Sequence, residues 1–112
     1  MEVAATAALS QAKAEPSQVG RITLTAPASP AYSALYGNAL GRIFGGGWET
    51  RALSWEGSVG HVLGASGALG LAFGALLLEG QGEAQLTTDA PYVLALSVGF
   101  GGQSGATVLG PA

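Results

Sequence analysis

Residues 58–80 read "SVGHVLGASGALGLAFGALLLEG" and carry no formal charge before Glu79. A run of this kind has few homes: a bilayer, the interior of a layered soluble domain, or a site built around its one polar ring, His61. From His61 to Leu78 it approaches the ~20 apolar residues of a membrane span, and Gly60, Gly64, Gly67 and Gly74 fall near one face. No Lys or Arg flanks it, no Trp or Tyr marks its C-terminal end, and the rest of the chain has the patterning of an α/β unit, which argues against a span. A helix that is apolar on every side is equally the signature of a fully buried core helix. On that reading the glycines let another helix approach closely, and the run needs cover on both sides.

The remaining sequence supplies short elements on either side of it. Ala4 to Ala14 is rich in helix formers and stops before Pro16. β-Branched residues in "QVGRITLTA" predict a strand near Arg21 to Thr25, closed off by Pro27 and Pro30. Tyr32, Leu35, Tyr36, Ala39, Leu40 and Ile43 recur at three- and four-residue steps, which predicts an amphipathic helix from Pro30 to Phe44 ended by "GGG". "TRALSW" is a short strand candidate. "YVLALSVGFGGQSGATVLG" predicts two strands joined by a glycine-rich turn. The order helix, strand, helix, strand, helix, strand pair argues for an α/β layer with a mixed sheet. At 112 residues, one small domain over the whole chain, 1–112, is the expectation.

Charge and residue usage narrow the chemistry. Four basic against seven acidic residues give a net charge of −3, which is no footprint for nucleic acid. With no cysteine there is no disulfide and no thiolate, and a single histidine among scattered carboxylates is a poor metal constellation, so neither metal nor cofactor is expected. The opening "MEVAATAALSQAKAEP" does not read as a signal peptide, which makes a cytoplasmic location the expectation. Only 10% of the residues are charged, little for a freestanding domain, so much of the surface is expected to be covered by a partner.

Two stretches, "GSVGHVLGASGALG" and "LSVGFGGQSGA", keep the order and spacing of two motifs of the β-ketoacyl synthases: K-S-x-x-G-H-x-x-G-A-x-G at the start of a buried helix, and N-S-F-G-F-G-G-T-N-A in a turn near the active site. The chain resembles the C-terminal half of those condensing enzymes, and "TAPASPAYSALYGNALGRIFG" also lies without a gap on a segment of that half. The resemblance implies one half of a thiolase-like layered fold, a mixed sheet with one buried apolar helix that packs against a second half.

Carried over residue by residue, the family's chemistry is mostly lost. The nucleophilic cysteine belongs to the other half, and this sequence has none, so the chain by itself forms no acyl-thioester. The first catalytic histidine falls on Thr25 and the motif lysine on Glu56, while the second histidine is retained as His61. Gly99, Phe100, Gly101 and Gly102 match the turn that borders the acyl pocket, with Gln103 and Ser104 replacing its threonine and asparagine. His61 is thus the catalytic candidate and 99–102 the substrate-binding candidate. The plainer readings are an imidazole retained for fit and a tight hairpin turn. Tyr32, Tyr36 and Trp48 read as packing or interface residues, and Glu49, Glu56 and Glu79 as solvated.

The resemblance implies a non-catalytic synthase-like subunit in fatty-acid or polyketide metabolism, paired as a homodimer or with a synthase-like chain, with an acyl carrier protein as a further partner. The alternative is a split condensing enzyme, an acyltransferase of the 3-oxoacyl-[acyl-carrier-protein] synthase class, whose nucleophile comes from a partner chain. A small membrane-associated protein is the third reading.

Overall fold

The computed structural model describes residues 1–24, 30–54, 66–79, 86, 89–98 and 104–111. The chain opens with helix α1, Glu2–Ala12, and a 3-10 turn at Pro16–Gln18 leads into strand β1, Val19–Leu24. Helix α2, Pro30–Phe44, follows, then a second 3-10 turn at Trp48–Arg51 and strand β2, Ala52–Leu53. Helix α3, Ser66–Leu78, precedes the hairpin of β3, Tyr92–Val98, and β4, Ser104–Leu109. The order is the one the sequence predicts, and α2 has the predicted bounds.

Helix α1 is offset from its expected bounds because Lys13 closes it. That residue takes the left-handed conformation (φ 55°, ψ 37°), and the Ala14 N–H donates to the Leu9 carbonyl at 3.0 Å. The helix is therefore ended three residues before Pro16, without the proline's help. The next turn is capped when the Glu15 N–H donates to Gln18 Oε1 at 2.9 Å, which fixes the chain's entry into β1.

The sheet has the order β2-β1-β3-β4. Its first three strands are parallel and β4 runs antiparallel to β3. Parallel neighbours need a crossover, and α2 supplies the one from β1 to β2. On one face Ile22 and Leu24 of β1 and Leu94 and Leu96 of β3 pack with Ala5 and Leu9 of α1 and with Tyr36 and Leu40 of α2. On the other face Val93 and Leu109 meet α3 at Gly74. Because both faces of β3 are covered, Val93, Leu94, Ala95 and Leu96 are all buried, and "YVLALSV" reads as a nearly continuous apolar run.

The glycines of α3 were expected to admit another helix. Gly74 instead lies against the sheet, because Val93 and Leu109 offer an apolar floor that a helix without a polar face meets equally well. The buried stripe of α3 is Gly70, Gly74 and Leu77, at steps of four and three.

Among the described residues, one polar group in the interior lacks a partner. Thr23 is 1% exposed, and its Oγ1 makes no hydrogen bond. An unmade bond at a buried hydroxyl costs about 1–3 kcal/mol, whereas an apolar group of the same shape carries no such cost. Thr23→Val is therefore expected to raise the urea midpoint, by about 1 kcal/mol of stability with an unchanged m-value. A lowered midpoint would mean that the hydroxyl has a partner in solution.

Candidate functional site

The residues singled out by the sequence, His61 and Gly99, Phe100, Gly101 and Gly102, lie outside the described residues, as do Thr25, Glu56 and Gln103. The elements that lead to them are described. Leu24, the last residue of β1, is in register with Leu96 of the parallel strand β3, so both strands leave the sheet at the same end. That end also carries Val98 and Ser104, the paired residues on either side of residues 99–103. The carboxyl ends of parallel strands are where open α/β sheets usually hold their ligands. The topology thus brings the exit of β1, which precedes Thr25 in the sequence, and the exit of β3, which precedes Gly99, to one end of the sheet.

A small cavity of about 110 Å³ opens at this end, between α3 and the β3–β4 hairpin. Gly70 and Leu71 form its roof and Ala95, Ser97, Gly105 and Thr107 much of its floor. Drug-sized ligands take pockets of roughly 300 Å³ or more, so this space suits a short apolar group rather than a long chain. Ser97 and Thr107 give it two hydroxyl groups, which the sequence reading did not single out. The available signal was a serine inside the otherwise apolar run "YVLALSV". Gly105 keeps the floor open: a Cβ there would lie 2.9 Å from Ser97 Oγ.

The outer side of α3 is the second notable feature. Leu69, Leu71 and Leu76 are 40%, 38% and 49% exposed, and Ala68, Ala72 and Ala75 beside them are exposed too. No charged residue occurs within the helix. It is thus seated on the sheet along one stripe and open along the rest. Among the described residues no helix is long and apolar enough to cross a membrane, and no group of three or more His, Cys, Asp or Glu is placed to hold a metal ion. Tyr36 is in the core and Trp48 packs against it, while Glu49 and Glu79 are exposed, as expected of an aromatic pair and of isolated carboxylates.

A mixed sheet covered on one face by α1 and α2, and on the other by an apolar helix that is itself open, defines a mixed α/β domain that fits one half of a thiolase-like layered fold. The chain matches the family described as beta-ketoacyl synthase, C-terminal domain, over residues 1–85, about three quarters of its length. It belongs to that family, and a role related to fatty-acid or polyketide synthases goes with the membership. The match takes in α1 through α3 and ends before the β3–β4 hairpin. No curated protein matches the chain.

Proposed function

We propose that this domain is a non-catalytic β-ketoacyl-synthase-like subunit whose role is to pair with a second thiolase-like half across the open face of α3. The observation that carries this reading is the exposure of Leu69, Leu71 and Leu76 on a helix with no charged residue. Contiguous apolar surface of this kind is rarely left to water and marks interaction sites. The family's nucleophilic cysteine belongs to the other half, and Thr25 and Glu56 stand where this half of the family has a histidine and a lysine. Pairing and shaping of an acyl site therefore explain the retained motifs better than catalysis by this chain does. A second copy of the chain is the simplest partner, because a two-fold axis lets the same helix cover itself.

Light scattering on a sizing column tests this. The chain alone is expected to run as a dimer of about 22 kDa, twice its 11.0 kDa mass. Leu69→Lys combined with Leu76→Lys should return it to a monomer with an unchanged circular dichroism spectrum, since both side chains point away from the sheet. A monodisperse monomer that the double substitution leaves unaltered would overturn the pairing of two copies across this face.

A further inference from the structure

Strand β4 forms one edge of the sheet, and among the described residues no backbone hydrogen bond reaches its outer side. We propose that this edge takes up an extended segment of a partner protein as a further strand, a neutral segment in which bulky apolar residues alternate with small ones. The inference does not depend on the pairing of α3.

The backbone is the first argument. In an antiparallel pair, alternate residues turn their N–H and C=O groups away from the neighbouring strand. β4 pairs with β3 without a register shift from Ser104 to Leu109, so its outer side presents those groups in a regular row. Edge strands are ordinarily blunted by shortness, charge, proline or a bulge. The opposite edge, β2, follows that rule with two residues. β4 has six, and none of them is charged or a proline.

The two faces beside that edge are the second. Leu109 meets Gly74 of α3, so by the alternation of a strand Gly105 and Thr107 share the α3 side, while Ala106 and Val108 pack toward the core under α1. On the α1 side a cavity of about 350 Å³ is lined by Ala8, Gln11 and Ala12 of α1 and by Ala106, Thr107 and Val108. Among the described residues β4 is the only strand that lines it, which puts this cavity at the margin of the sheet. The α3 side has the cavity of about 110 Å³, and β3 lines that one too. Successive side chains of an added strand point to opposite faces, so one set enters the larger space and the other has to be small.

Charge and space choose the occupant. Among the described residues no charged side chain lines either cavity, so uncharged side chains fit and a buried carboxylate or ammonium does not. The main neighbour of α1 in the sheet is β4. A second copy joined edge to edge across a two-fold axis would carry its own α1 on the same face, above a strand only about 4.8 Å away, whereas packed helices need roughly 8–10 Å between axes. A single extended segment brings no helix with it. Strand addition of this kind draws affinity from main-chain hydrogen bonds and specificity from the pockets that receive alternate side chains.

The test is an NMR titration of the full chain with the peptide acetyl-KSVAVAVSK-amide. Saturable shifts are expected at the amides of Ala8, Gln11 and Ala12 and along β4. At saturation, alternate amides of β4 that exchange quickly with solvent in the free chain should become protected. A peptide with serine in place of the central valine should bind about tenfold more weakly, and so should the parent peptide to Ala8→Leu, whose side chain fills the cavity. Gln11→Glu, at an exposed helix position, should weaken binding about threefold or more. Absence of saturation, saturation without new protection in β4, or undiminished binding to Ala8→Leu with its fold intact would overturn the proposal. Protection of the same amides in the peptide-free chain that is lost on dilution would also overturn it, in favour of a second copy at this edge.

Discussion

Gly20→Ala is expected to destabilise the protein by about 3 kcal/mol, although the backbone at this position does not need glycine for its dihedral angles. The reason is space. A Cβ on Gly20 would lie 2.8 Å from Leu86 Cδ2 and closer still to the Ala90 carbonyl oxygen, which belongs to the backbone. Val19 is paired with Tyr92 and Arg21 with Val93, so β1 advances two residues while β3 advances one. Gly20 is the extra residue of this irregularity, and it is pressed onto the segment that enters β3. Overpacking costs typically 1–3 kcal/mol where side chains can yield, and more where backbone must move. The loss of chain entropy in the unfolded state returns only about 0.4–1 kcal/mol to the alanine variant. Urea denaturation measures the result. A loss under about 1 kcal/mol would mean that the Ala90 segment gives way and that the start of the β1–β3 pairing is loosely held.

The same irregularity explains why β1 was expected to start later than it does. A glycine inside a β-branched run weakens a strand assignment, and nothing local reveals that a neighbouring chain needs the room it leaves. Elements whose period is set by a single face were legible, which is why α2 and the β3–β4 pair fall where the spacing of apolar residues puts them. β2 is confined to Ala52–Leu53 within the longer "TRALSW" because Thr50 and Arg51 belong to the preceding 3-10 turn. Helix α3 has the opposite problem: apolar all round, it carries no information about which side meets the sheet. His61 and residues 99–102 could be singled out only through the family motifs.

That missing orientation of α3 makes Gly74 the most telling position in the helix. Gly74→Leu is expected to cost about 3 kcal/mol or more, and Gly74→Ala to change stability by less than about 1 kcal/mol. A Cβ at this site would lie 2.7 Å from Leu109 Cδ1 and 3.3 Å from Val93 Cγ1. The leucine methyl ends a flexible side chain on the edge strand and can rotate aside. Val93 cannot: it is fully buried in a central strand, and β-branching fixes its rotamer. Alanine therefore meets one soft contact and one tight one, against a helix-propensity gain of about 0.8–1 kcal/mol over glycine. Leucine adds three further carbons with no space to enter, so α3 must lift from the sheet and expose Val93 and Leu77. Combining Gly74→Leu with Leu109→Ala vacates volume beside the new side chain and should recover a good part of the loss, a coupling read from a double-mutant cycle by urea denaturation. If Gly74→Leu alone were as stable as the parent, this stripe of α3 would not be the one on the sheet, and the leucines now exposed at 69, 71 and 76 would lose their claim to be the face offered to a partner.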